Sequence, residues 1–238
     1  MAVPLVLASA SPRRRELLDG LGVSFKVVVA DVDESLGFSK RPAPLVEELA
    51  LRKARAVAER TPEGLVIGAD TVVVLRGKIL GKPRDEAEAR SMLRELEGTS
   101  HEVYTGVAVI DAATGKAAVS HERTVVHFRH LTEEEISTYA ATGEPADKAG
   151  AYAIQGLGSL FVTRIEGCYT NVVGLPLVRL AEMCRIFDYD LLSAAAAGWS
   201  GKGWFDVRRV LPDNQANARG TASEGAAGQD GTGGPLGY

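Results

Sequence analysis

One stretch constrains the fold of this chain more than any other: residues 65–75, where two apolar, β-branched runs, 65–69 and 72–75, are interrupted by Asp70-Thr71. It reads as a buried strand feeding a hairpin, with Arg76-Gly77 turning into residues 78–80. A carboxylate among residues that favour the core is costly unless it is paired, hydrogen-bonded or bound to a metal. Asp70 is therefore either a chemical group or a strand-end aspartate that caps a turn.

The rest of the chain gives that strand its setting. Residues 3–7 read as a strand, 12–21 as a helix opened by Pro12, and 25–29 as a second strand ending in Asp31, Asp33 and Glu34. A loop over 37–44 precedes a helix over 45–60, whose apolar stripe is Val46, Leu49, Ala50, Ala54 and Val57. Asp85 caps a helix running to Glu97, and the segments 103–111 and 119–128 flank a Thr114-Gly115 hairpin turn. Thr132 and Glu135 form a capping box for a helix ending near Gly143. A strand over 160–165 and a helix over 176–187 follow. Strands that alternate with helices, together with antiparallel hairpins, predict an α/β fold built on a mixed twisted sheet with flanking helices. Residues 1–190 are expected to form one domain and 191–212 an extension of undecided structure. The tail, 213–238, is rich in glycine and alanine, has no Val, Ile, Phe, Trp or Met, and is expected to be disordered.

Composition narrows the function. A formal net charge of −4 over 238 residues argues against a nucleic-acid partner, so any anion must be met by local cations. No apolar run approaches the ~18 residues a membrane span requires, and a cytoplasmic protein is expected. Cys168 and Cys184 have neither disulfide-framework nor zinc-site spacing. His101, His121, His127 and His130 lie in or beside the hairpin strands and read as structural.

Ser9-Ala-Ser-Pro-Arg13-Arg14-Arg15 places three cations in the first turn of a helix, where the macrodipole disfavours them. A phosphate ligand would resolve the conflict, since free amides, hydroxyls and guanidinium forks suit it; arginines fanning into solvent are the alternative. Lys53 falls on the apolar stripe of its helix, where it either snorkels out or meets an anion in a cleft. Lys82 and Lys148 sit on loops, where binding groups concentrate. The acids Asp31, Asp33 and Glu34 form either a solvated loop or, near a polyphosphate, ligands for Mg²⁺. Neither a Walker A pattern nor G-x-G-x-x-G nor G-x-S-x-G occurs.

In order and spacing, Leu7-Ala-Ser-Ala-Ser-Pro-Arg-Arg14, Gly68-Ala-Asp-Thr71, Gly81-Lys-Pro83, Tyr104-Thr-Gly106, Gly143-Glu-Pro-Ala-Asp-Lys-Ala-Gly150, Tyr152-Ala-Ile-Gln-Gly156 and Asn171-Val-Val-Gly-Leu-Pro176 resemble the Maf family over about residues 3–187. The resemblance implies a two-lobed nucleoside triphosphate pyrophosphatase, related in fold to the inosine triphosphate pyrophosphatases, with a nucleotide cleft and a divalent cation, Mg²⁺ or Mn²⁺. It implies Asp70 as catalytic base and metal ligand, Glu34 as a second metal ligand, and Ser9, Arg13, Arg14, Lys53, Thr71, Lys82, Asp147, Lys148 and Gln155 as substrate-binding residues. Pro12 followed directly by Arg13, Thr71 after Asp70, and Ile154 before Gln155-Gly156 resemble the branch acting on dTTP and UTP. The resemblance further suggests a homodimer, and links the family to arrest of septum formation. Two rival readings are a nucleotide-binding regulator of cell division without turnover, and a haloacid-dehalogenase-like phosphatase using Asp31 as nucleophile.

Overall fold

The computed structural model describes residues 3–32 and 41–199. In chain order the main elements are β1 (Leu5–Leu7), α1 (Pro12–Asp19), β2 (Phe25–Val27), α2 (Pro42–Ala58), β3 (Leu65–Leu75), β4 (Lys78–Leu80), α3 (Glu86–Leu96), β5 (Ser100–Asp111), β6 (Ala117–Phe128), α4 (Glu133–Ala141), β7 (Val162–Glu166), α5 (Tyr169–Val173), α6 (Leu177–Arg185) and α7 (Leu191–Gly198). Short 3-10 turns at Glu144–Asp147, Ala149–Ala151 and Gly156–Phe161 join α4 to β7. Among the described residues the sheet has seven strands and runs β2-β1-β3-β5-β6-β7, with β4 also on β3. Its β2-β1-β3 part is parallel, and the pairs from β3 through β7 are antiparallel, so the sheet is mixed.

Asp70-Thr71 does not interrupt β3. Its backbone pairs with Thr105-Gly106 of β5, so the ladder continues unbroken and only the side chains are exceptional. Alternation along β3 puts Val66, Val72 and Val74 against α2, while Ile67, Ala69 and Val73 join the larger core on the other face. Two glycines set how closely α2 approaches. A Cβ on Gly68 would stand 2.2 Å from the Ala50 carbonyl oxygen, and one on Gly106 would stand 2.1 Å from that of Val46. The helix backbone thus lies directly on the sheet at two points.

Several boundaries differ from the sequence reading. Helix α2 starts at Pro42 within the expected loop, because the first turn of a helix needs no intrahelical amide and accepts proline. The strand expected over 160–165 starts only at Val162, since residues through Phe161 close a 3-10 turn. Within the extension, α7 is a helix whose Asp190 side chain accepts from the Leu192 amide, and Leu191 and Ala195 are buried in the main core. The Asp85 cap and the Thr132–Glu135 capping box form as expected. His101 is buried and hydrogen-bonded to the Tyr152 hydroxyl at 2.7 Å, a structural arrangement. The tail over 213–238 lies outside the described residues. No helix among the described residues is long and apolar enough to cross a membrane.

Gly106→Ala is expected to push α2 off the sheet at Val46, destabilising the fold by about 3 kcal/mol in urea titration, the upper range for overpacking. A change below about 1 kcal/mol would show that α2 yields there without strain.

Candidate active site

The cleft exists because one edge of β3 has a gap. Strand β1 pairs only with Leu65, Val66 and Ile67, and β4 only with Val73, Val74 and Leu75. Between those pairings the β3 edge around Asp70 faces open space, just beyond the carboxyl end of β1, where open α/β sheets bind ligands. The resulting cavity is about 630 Å³ and is walled by the Ala8–Arg14 turn, α2, the loop at Gly81-Lys82, and the Asp147–Gln155 segment.

Every one of Ser9, Arg13, Arg14, Lys53, Asp70, Thr71, Lys82, Asp147, Lys148 and Gln155 lines this cavity. At its floor, Lys53 Nζ donates to Asp70 Oδ1 at 2.7 Å, and both residues are 8% exposed. Lys53 does not snorkel: the close approach of α2 sets its ammonium directly over the one carboxylate of β3. The three-arginine cluster divides. Arg15 turns outward to an exposed ion pair with Asp19, while Arg13 and Arg14 face the cleft.

Arg14 is held by the fold itself. Its Nε donates to the Gly174 carbonyl at 2.7 Å, and its terminal nitrogens donate to Ser9 Oγ at 3.2 Å and Thr71 Oγ1 at 3.1 Å. The hydroxyls behind it form a relay whose direction is fixed. Thr105 Oγ1 donates to the Asn171 carbonyl at 3.0 Å, so its 2.9 Å contact with Thr71 Oγ1 is one in which Thr71 donates. Asn171 Nδ2 in turn donates to the Val103 carbonyl and to Thr124 Oγ1. Thr105, Thr124 and Asn171 are fully buried. The sequence reading missed these supporting residues, although Thr105 and Asn171 lie within two of the motifs quoted above.

Across the cleft mouth, Arg13 approaches Asp147 Oδ2 at 3.6 Å, and Lys148 also pairs with Asp147. Burial tends to raise the Asp147 carboxyl, but the hydrogen bond from Lys148 and the charges of Lys148 and Arg13 hold it below the usual carboxylate range. Lys82 is exposed at the rim. Glu34 lies outside the described residues, as does Asp33, and Asp31 is exposed and is not part of the cleft wall. Among the described residues no cluster of three or more His, Cys, Asp or Glu side chains forms a preassembled metal cage.

A buried ion pair broken on one side leaves an uncompensated charge, at a typical cost of about 3–5 kcal/mol. Lys53→Met is expected to lower unfolding stability by that order, and the double variant Lys53→Met/Asp70→Leu to recover most of it. Failure of the double variant to recover would mean that the pair stabilises the fold on its own account.

The chain matches the family model described as Maf-like protein over residues 4–187. It is 59% identical over 188 residues to a dTTP/UTP pyrophosphatase of Pelotomaculum thermopropionicum, covering 79% of this chain and 98% of that protein. A dTTP/UTP pyrophosphatase of Desulforamulus reducens is 56% identical over 79% of this chain and 99% of its own length. One from Moorella thermoacetica is 57% identical over 79% and 96%. A solved nucleoside-triphosphatase / dITP/XTP pyrophosphatase from Mycobacterium abscessus is similar at 16% identity and TM-score 0.35, over 54% of this chain and 75% of that one. With residues 4–187 matched by the family model and six of the seven motifs contributing residues to the cleft wall, the chain belongs to the Maf family.

Proposed function

We propose that this chain is a nucleoside triphosphate pyrophosphatase, a hydrolase that converts dTTP and UTP to the monophosphate and pyrophosphate. The observation that carries the reading is the buried Asp70–Lys53 pair at the floor of a cleft lined by Arg13, Arg14, Lys82 and Lys148. One carboxylate at the floor, below a rim where Arg13, Lys82 and Lys148 outnumber Asp147, suits a polyphosphate whose own charge must be neutralised while a water is activated beside it. The relatives' names supply the substrate class. A free nucleotide as substrate also fits a cytoplasmic protein.

In this reading water attacks the α-phosphorus. Lys53 engages Asp70 Oδ1, which leaves Oδ2 to accept the proton of that water. A new P–O bond forms to the water oxygen, the bond from the α-phosphorus to the bridging oxygen breaks, and its electron pair leaves with pyrophosphate. Arg13, Arg14, Lys82 and Lys148 neutralise the charge that develops on the leaving group. The amides at the start of α1 and the Ser9 hydroxyl add hydrogen bonds to phosphate oxygens. Thr71, already donating to Thr105, holds Arg14 in place. Gln155, whose amide offers both N–H donors and a carbonyl acceptor, reads the edge of the pyrimidine.

A divalent cation fits the donor set. Mg²⁺ and Mn²⁺ take hard oxygen ligands and are commonly held by one or two carboxylates plus substrate phosphates, so no preassembled cage is required. Asp70 would hold the ion, which bound there would supply Lewis-acid polarisation of a phosphoryl oxygen, and Glu34, the second ligand that the resemblance implies, lies outside the described residues.

The test is product analysis with purified protein, Mg²⁺ or Mn²⁺ and a panel of triphosphates. Monophosphate and pyrophosphate from dTTP and UTP are expected, and Asp70→Asn should cut turnover about 10³-fold, the usual scale for a lost general base, while nucleotide binding persists. Orthophosphate as product would favour a phosphatase, and tight binding with no products would favour a regulator. Wild-type turnover in Asp70→Asn would remove Asp70 from the chemistry.

A further inference from the structure

The segment carrying Gln155 is gripped on both sides by two side chains that do not line the cleft. Before it, the Ala153 amide donates to the Tyr139 hydroxyl at 3.2 Å. After it, the Glu144 carboxylate accepts from the Gly158 amide at 3.1 Å and from the Leu157 amide at 3.2 Å. The two holds are joined, since the Tyr139 hydroxyl donates to Glu144 Oε1 at 2.9 Å. Tyr139 is 3% exposed and sits on α4, and Glu144 opens the next 3-10 turn.

The backbone between the holds is shaped to fit them. Gly156 has φ 78°, and a Cβ there would stand 2.8 Å from Glu144 Oε2. Burial, reinforced by the hydrogen bond to Glu144, keeps the Tyr139 hydroxyl well above its usual pKa range, so it remains a donor. The donor arithmetic requires a carboxylate. Glu144 receives three donors on its two oxygens, whereas a glutamine would aim its NH₂ at one of them.

We propose that Glu144, acting with Tyr139, is a positioning residue for nucleobase selection: it fixes the Ala153–Gly158 backbone so that the Gln155 amide meets the pyrimidine edge in one orientation. The proposal rests on the reading of Gln155 as the base-contacting residue. Loss of the grip frees the amide to rotate and shift, which weakens discrimination between uracil and cytosine, whose edges exchange donor for acceptor. Arg13, Arg14 and Lys82 stand on other elements and do not depend on the grip, whereas Lys148 directly follows the turn that Glu144 opens.

The experiment measures kcat/KM for UTP and for CTP in the wild type, Glu144→Gln, Tyr139→Phe and Gln155→Ala, with thermal melting as a control of folding. The UTP:CTP ratio should fall about tenfold in Glu144→Gln, the scale of one compromised buried hydrogen bond, and also fall in Gln155→Ala. Where Glu144→Gln fails to fold, Tyr139→Phe reads out the same grip. A ratio that falls in Gln155→Ala but holds in both grip variants overturns the proposal and leaves the base-reading role of Gln155 intact. Equal loss for both substrates in the grip variants assigns Glu144 a structural role only, and also overturns it. A ratio unmoved in every variant overturns the base-reading role of Gln155 and this proposal with it.

Discussion

The site depends on the contact between Lys53 and Asp70, and that contact depends on how closely α2 lies on the sheet. A lysine and an aspartate taken out of water are expensive, and their attraction offsets that cost only when their geometry is good. Here the geometry comes from absent side chains. Gly68 and Gly106 let the backbone of α2 rest on β3 and β5, and Lys53 then ends 2.7 Å from Asp70. An apolar pair of similar volume would stabilise the same place at least as well, so the fold alone gives no reason for these charges. The proposed chemistry on an anionic substrate gives one.

A second constraint is the short reach of β1. Had β1 paired along the whole of β3, the edge near Asp70 would be closed by a ladder. Instead β1 stops at Leu7, the chain turns through Ser9 into α1, and the turn delivers Arg13 and Arg14 to the gap. Arg14 is anchored by the Gly174 carbonyl and by the Thr71–Thr105 relay, which ends on the backbone of α5. Its guanidinium is thereby ordered in advance, and in the proposed reading this reduces what phosphate binding must spend on fixing a long side chain.

Much of this was legible in the sequence because the signals were local conflicts. Asp70 among valines, Lys53 on an apolar stripe and cations in the first turn of a helix each contradict the preference of their own element. The structure places Asp70, Lys53, Arg13 and Arg14 at one cavity, while Arg15 turns outward to Asp19. What stayed hidden depends on pairing between distant segments. Thr105 and Asn171 are ordinary residues in a strand and a short helix, and their roles follow from hydrogen bonds that span 66 and 68 positions. Glu144 looked like one acid in a loop motif until the chain brought the Leu157 and Gly158 amides onto it. The start of α2 was misjudged for a different reason: prolines were read as loop, although Pro42 begins the helix.

The central claim is that this cleft directs water to the α-phosphorus rather than to the terminal phosphate. Hydrolysis of UTP in ¹⁸O-labelled water, followed by mass spectrometry of the products, tests it directly. Label in the monophosphate, with unlabelled pyrophosphate, is the expected result. Label in pyrophosphate would place the attack on the β-phosphorus, and label in orthophosphate would place it at the chain end; either would contradict the role given to Asp70 and the cations around it.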